Sequence, residues 1–243
     1  LIDVGISGKK IVEGLSSKNI DIEEINCILI THEHSDHIKS LKLISKKAIN
    51  AKVYASIGTW SKIIDLVSEE KIKHFEYGKP ILIGDILVSP FKLSHDTSDP
   101  IGYSFKKGDK KITIVTDTGY VTEEIFENIK DADLLVLEAN HEVNILQFGK
   151  YPYSLKRRIL GEKGHLSNEA AGNCICQMLE YNIEAKISKM PKVVLAHLSR
   201  ENNTPEQAYL TIRNILGEKN FYMKKDLTLE IITRDKISDI MII

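Results

Sequence analysis

Residues 31–37 read THEHSDH and gather three of the chain's eight histidines, with two carboxylates, into one short segment. Imidazole and carboxylate together are the donors of zinc, manganese or iron sites. His32 and His34 alternate along an extended stretch, so both rings point the same way. Asp36 and His37 follow at the turn into a helix. Two donor pairs on one loop can serve two ions, His32 with His34 and Asp36 with His37, and each ion then needs further donors from distant segments. Three such donors stand where an apolar run stops: His95 in FKLSHD, Asp117 in ITIVTDTG and His197 in KVVLAHLS. Two divalent ions ~4 Å apart activate water near neutral pH and neutralise charge in the transition state. That chemistry suits phosphodiesters, but also lactams, thioesters and lactones. The donors therefore predict hydrolysis and leave the substrate open.

Such donors must be positioned by strands that end near one another. Apolar or β-branched runs predict strands at LIDV (1–4), INCILIT (25–31) and KVYAS (52–56). Loops at the carboxyl ends of strands are where α/β sheets present chemistry, which suits the histidine segment. Helical patterns occupy residues 8–19, 36–50 with Asp36 as cap, and TWSKIIDLVSEEK. In the middle, ILIGDILVSPFKLS and PIGYSFKKGDKKITIVTD predict antiparallel strands turning at Gly84-Asp85 and Gly108-Asp109. A helix in EEIFENIK, a buried strand in DLLVLEAN, a helix in LSNEAAGNCICQMLEYN and a strand in PKVVLAH follow. The last helix, TPEQAYLTIRNIL, has Thr204 as cap and Pro205 in its first turn. Mixed strands covered by helices make the class α/β, in one domain over 1–243.

Composition narrows the function classes. Of 243 residues 42% are apolar, enough for a sizeable core. Lys and Arg number 33 against 34 Asp and Glu, which argues against coating nucleic acid by bulk charge but not against gripping one phosphate. Three cysteines, Cys27, Cys174 and Cys176, argue against a disulfide framework and for a reducing compartment. Cys174 and Cys176 fall on different faces of an apolar helix and are expected as buried thiols. No signal peptide or apolar run of membrane length is seen, so a cytoplasmic protein without membrane insertion is expected. The opening LIDVG lacks Met and starts as a strand, so one or more N-terminal strands are expected to be missing. His74, in KHFEY, is expected to be an ordinary surface or core histidine.

HEHSDH fits the His-x-His-x-Asp-His hallmark of the metallo-β-lactamase fold superfamily, which the chain resembles from about Asp3 to Arg200. The resemblance implies a four-layer αββα sandwich. It matches His32, His34 and His95 to the first metal, Asp36, His37 and His197 to the second, and Asp117 to the bridging carboxylate. GISGKKI, DTGY, LEANHE, YPYSLKRRILGEKGHLSNE and HLSRENNTPE are similar to the YycJ/WalJ group of bacterial metallohydrolases. The His-x-Ser segment at the last donor resembles the ribonuclease Z-like nuclease branch. These likenesses imply two divalent ions (zinc or manganese, iron possible), 5′-to-3′ exonuclease activity on DNA, and a gene neighbourhood in cell-wall signalling.

His165 precedes a helix start, with Ser167 or Asn168 near the cap, and helix N-termini favour phosphate. By the same resemblance His165 matches a non-ligand histidine that protonates the leaving oxygen, so Asp36 and His165 are the expected catalytic residues. The competing reading of His165 is a capping or ligand-supporting role. Glu138, Asn140 and His141 follow a buried strand and are expected at the site rim. Asn140 and His141, with Ser167, Asn168 and Ser199, form the expected substrate side; the alternative is that Asn140 only satisfies loop backbone. Lys156, Arg157 and Arg158 are placed to reach a nucleic-acid backbone, with Tyr151 and Tyr153 either stacking on bases or in the core. The expected function is a dinuclear phosphodiesterase acting as a DNA exonuclease. The alternatives are a thioester, lactone or cyclic-phosphodiester hydrolase, and a metal-bound non-enzymatic signalling partner.

Overall fold

The computed structural model describes residues 1–234 and 236–243. The chain divides into two compact units, Leu1–Lys79 with Thr97–Ile101, and Pro80–Asp96 with Gly102–Ile243.

In the first unit, three short strands, β1 (Cys27–Leu29), β2 (Lys52–Ala55) and β3 (Ile72–His74), form a parallel sheet in the order β1-β2-β3. Parallel neighbours require crossovers. These carry α2 (Ser35–Ile38) and α3 (Leu41–Lys47) after β1, and α4 (Ile57–Ile63) after β2; α1 (Gly8–Ser16) precedes the sheet. Ile28, Ile30, Val53 and Ala55 pack with Leu41, Ile44, Trp60 and Ile63 in one apolar cluster. His74 is exposed at the end of β3, its ring 6.1 Å from that of Trp60.

Two local expectations change here. The expected first strand is a single bridge, Ile2 to Leu29, because Asp3 takes a left-handed φ of 50° that breaks the extension. The helix expected from Asp36 starts instead at Ser35, with His34 at the cap position and Asp36 inside the first turn, so Asp36 is not a cap. That helix stops at Ile38 because the N-terminal segment competes for its hydrogen bonds. Val4 N donates to His37 O at 2.8 Å, and Ser40 N donates to Val4 O at 3.0 Å. Gly5 sits so close that a Cβ there would lie 1.4 Å from the Asp36 carbonyl oxygen.

Among the described residues a second sheet has seven strands, all in the second unit but for Ile101: β4 (Ile81–Ile83), β5 (Ile86–Lys92), β6 (Ile101–Lys107), β7 (Lys110–Val115), β8 (Leu134–Glu138), β9 (Lys192–Ala196) and β10 (Thr228–Ile231). Their order is β10-β9-β8-β7-β6-β5-β4. The β4–β5 and β6–β7 pairs are the expected hairpins, turning on Gly84 (φ 61°) and Gly108 (φ 59°). From β7 to β10 every pairing is parallel, so the carboxyl ends of β7, β8 and β9 meet at one edge. The helices are α5 (Glu123–Ile129), α6 (Val143–Phe148), α7 (Tyr153–Leu160), α8 (Asn168–Glu184) and α9 (Pro205–Glu218). Leu135, Leu137, Val193 and Leu195 pack with Ile175, Met178, Ile212 and Leu216 in the core. Thr204 caps α9 as expected, its side chain accepting from Gln207 N at 3.1 Å, a bond worth ~1 kcal/mol. Cys174 and Cys176 are free, buried thiols, and burial pushes them up to about 12 and about 11. No described helix is long and apolar enough to cross a membrane.

Candidate metal centre

β1 carries the histidine loop at its carboxyl end, and Asp3 braces it. Asp3 Oδ1 accepts from Thr31 N at 2.9 Å, while Oδ2 accepts from the Thr31 hydroxyl at 2.8 Å and lies 2.7 Å from His37 Nδ1. Because the Thr31 hydroxyl gives its proton to Asp3, its oxygen accepts from His32 Nδ1 at 2.9 Å. Both buried imidazoles therefore have Nδ1 committed to oxygen. Their Nε2 atoms turn toward other donors: His32 Nε2 lies 3.1 Å from His34 Nδ1, and His37 Nε2 lies 3.9 Å from Asp36 Oδ2. Asp36 itself is about half exposed. Fixing one imidazole nitrogen so that the other is presented is how proteins orient metal-binding histidines.

In the second unit the donors come from five segments. Asp117 follows β7, Glu138 ends β8, His197 follows β9, and His165 precedes α8; one atom from each falls within 4.8 Å of the others. His95, after β5, has Nδ1 3.0 Å from Gly164 O and Nε2 3.8 Å from Asp117 Oδ1. His197 Nδ1 lies 2.7 Å from Glu138 Oε1, and its Nε2 lies 3.5 Å from Asp117 Oδ1. Asp117 and His197 both hold left-handed φ values, 63° and 56°, a backbone strain that tends to mark functional loops. The 3.5–3.8 Å spacings are too long for hydrogen bonds. They approach the roughly 3.3–3.6 Å edge expected between donors that share a tetrahedral ion. The geometry and the chemistry of these donors fit a divalent metal.

Glu138 is fully buried and organises this half. Oε1 lies 2.8 Å from His165 Nδ1 and 2.7 Å from His197 Nδ1, while Oε2 accepts from Thr118 N at 3.1 Å and Leu166 N at 3.0 Å. Burial alone would raise its pKa, but the hydrogen bonds and charges of the two imidazoles hold it far below the carboxylate range. Burial likewise works against the His165 imidazolium, yet Glu138 outweighs it and raises His165 above the ordinary imidazole value. For His95, burial wins over the attraction of Asp117 and the pKa falls.

The residues expected at the rim lie inside. Glu138, Asn140 and His141 are 0%, 8% and 1% exposed. The rim expectation fails because the β8 exit is covered by the loops that hold Leu166, Ser199 and Asn202, which pair with residues 140–142. Asn140 is a clasp: Nδ2 donates to His197 O at 2.9 Å, and its carbonyl accepts from Ser199 N at 2.8 Å and Asn203 Nδ2 at 3.1 Å. Ser167 caps α8, accepting from Ala170 N at 3.1 Å. Asn168 is buried in a reciprocal amide pair with Asn203, at 3.0 and 2.8 Å, and also donates to Glu142 at 3.1 Å. Ser199 Oγ accepts from Asn202 N at 3.2 Å. The side chains of Asn140, Ser167, Asn168 and Ser199 thus tie loops together. Among the described residues neither ring nitrogen of His141 has a hydrogen-bond partner, and burial pushes its pKa down to about 4. Sequence reasoning missed Asp3 and Asn203. A lone carboxylate in the apolar opening LIDVG was the available signal for the first; none pointed to the second.

Comparison with known proteins now bears on this geometry. Residues 1–181 match a family described as the beta-lactamase superfamily domain. The chain belongs to this superfamily. The exodeoxyribonuclease WalJ of Streptococcus pneumoniae is 40% identical over 223 residues, covering 90% of this chain and 80% of that protein. The exodeoxyribonuclease YycJ of Bacillus anthracis is 37% identical over 225 residues, covering 91% and 82%. The crystal structure of the metallo-β-lactamase fold protein YhfI from Bacillus subtilis aligns with a TM-score of 0.69 at 15% identity, over 95% of this chain and 83% of that one, and so shares the fold. The expected α/β metallo-β-lactamase fold is borne out, and the chain is a hydrolytic enzyme of the superfamily. The fold implies divalent metal binding, and the donors described above are of the right kind for it.

Proposed function

We propose that this enzyme is a dinuclear metal-dependent phosphodiesterase that degrades DNA as a 5′-to-3′ exonuclease, working as one domain in the cytoplasm. The ligand assignment we favour takes His32, His34 and His95 for one ion, Asp36, His37 and His197 for the other, and Asp117 between them. Zinc or manganese suits these donors, with iron possible. Such a pair would supply a strong nucleophile from water near pH 7 and neutralise charge on the phosphate.

The observation that carries the reading is the Glu138 clasp. It holds Nδ1 of both His165 and His197 by one carboxylate oxygen, so a histidine that can act as an acid stands beside a proposed metal ligand. With Nδ1 fixed and its pKa raised, His165 can deliver its Nε2 proton to the departing oxygen. Phosphodiester cleavage needs such an acid, because an alkoxide is a poor leaving group. Asp36, half exposed beside His37, is the proposed acceptor of the attacking water's proton. The names of the relatives support DNA as the substrate, and the free thiols suit the cytoplasm.

The test is hydrolysis of 5′- and 3′-labelled DNA by metal-loaded enzyme. The expected products are nucleotides released from the 5′ end, with His165→Ala lowering kcat by ~100-fold or more. Turnover of a lactone or thioester with DNA left intact would replace this reading by the small-molecule alternative.

A further inference from the structure

Residues 143–161, VNILQFGKYPYSLKRRILG, carry Lys150, Lys156, Arg157 and Arg158 and no acidic residue, in a chain whose net charge is −1. They fold as α6 and α7 joined by a short turn. Phe148 ends α6 and is 87% exposed; Tyr153 opens α7 and is 76% exposed. Water is a poor environment for two aromatic rings, and this turn holds them there firmly. Lys156 Nζ donates to Gln147 O at 2.9 Å and Gly149 O at 2.7 Å, which ties the first turn of α7 to the end of α6. Arg158 pairs with Asp96. The cations left at the surface beside the rings are Lys150 and Arg157, and the Arg157 guanidinium lies 6.0 Å from the Tyr153 ring centre. Tyr151 is only half exposed.

Both ends of this hairpin run into the site. α6 begins directly after Glu138, Asn140 and His141, and α7 leads to Gly164, which receives His95 Nδ1, and to His165. Resting on the nuclease reading above, we infer that the α6–α7 turn is a stacking platform for single-stranded DNA. Phe148 and Tyr153 each take a base face, and Lys150 and Arg157 take the adjoining phosphates. Charge favours this occupant: no ion pair to Lys150 or Arg157 is seen among the described residues, so the turn offers positive charge beside exposed rings, and a phosphate backbone carrying unstacked bases complements both. Stacking is also indifferent to base identity, as an exonuclease that must accept every nucleotide requires.

The test uses the full-length, metal-loaded enzyme and a fluorescein-labelled single-stranded oligonucleotide at fixed salt. Phe148→Ala combined with Tyr153→Ala should raise Kd about 10-fold or more. Hydrolysis of bis(4-nitrophenyl) phosphate, which has no flanking nucleotides to stack, should stay within about two-fold, which also shows that the variant is folded. Arg157→Gln should flatten the dependence of log K on log salt by roughly 0.7. Phe148→Trp should retain binding and show quenched fluorescence when the strand is added, Trp60 being buried. Binding and digestion of DNA at wild-type levels by the double variant overturn the platform and leave the nuclease reading standing. A wild-type dimer that the double substitution converts to monomer, with DNA binding intact, overturns it in favour of a second copy. Failure of the wild-type enzyme to bind or cleave DNA overturns both readings together.

Discussion

The two groups of donors are held in contrasting ways. In the first unit they are neighbours in sequence, and a carboxylate from the chain's opening segment, Asp3, braces the loop through Thr31 and His37. In the second unit they arrive from separate segments, and a carboxylate on an inner strand of the parallel set, Glu138, receives two imidazoles and two backbone amides. A contiguous motif is already gathered by its covalent chain and needs only orientation. A distributed one must be gathered by a shared acceptor, and the low dielectric around a fully buried carboxylate makes that acceptor strong and unforgiving.

Replacing the two carboxylates by amides should expose this difference. Glu138→Gln presents an N–H₂ group to sites built entirely of donors, and is expected to cost ~3–5 kcal/mol in urea unfolding. Asp3→Asn keeps one acceptor oxygen for its smaller set, drawn from one loop, and is expected to cost ~1–3 kcal/mol, with metal affinity at the histidine loop weakened ~10–100-fold. Equal losses from the two substitutions would erase the distinction. Asn140→Ala, which frees the His197 loop from its 2.9 Å clasp, should cost ~1 kcal/mol in the same urea unfolding, the least of the three.

The smallest effect is expected far from either donor group. Asp133 Oδ2 accepts from Lys111 N at 2.8 Å and Lys189 Nζ at 3.0 Å. Burial opposes its ionisation, but these donors outweigh it and the folded pKa is depressed. A depressed carboxylate contributes stability above its unfolded pKa, about 4, and that stability is lost as pH falls through the lower folded value. Asp133→Asn should therefore cost ~0.5 kcal/mol at pH 7, and its melting temperature should converge on that of the wild type as pH drops below about 4. A gap that persists unchanged in acid would mean that the carboxylate's charge is not what matters there.

The contrast also explains what could be read from the sequence. HEHSDH was legible because its spacing alone defines its geometry, and His95, Asp117 and His197 because each stops an apolar run. The hairpins at Gly84 and Gly108 and the cap at Thr204 were legible because turns and caps are local. Asp3 was not, since its partners lie 28 and 34 residues away. The early stop of α2 at Ile38 was hidden for the same reason: Val4 competes for its backbone groups through space. Glu138 and Asn140 were visible in LEANHE, but their burial was not, because loops from residues 166 and 199–202 close over them. The α6–α7 helices lacked a clear apolar period, and no residue of α7 is buried.

The central proposal is that the ligands assigned above hold two divalent ions and that DNA cleavage depends on both. Metal content measured by mass spectrometry after dialysis against limiting chelator, on the same samples assayed for DNA cleavage, tests it most directly. The account predicts two divalent ions per wild-type chain, loss of one ion in either His34→Ala or His197→Ala, and loss of nuclease activity in both. Full activity in a chain holding one ion, or none, would contradict it.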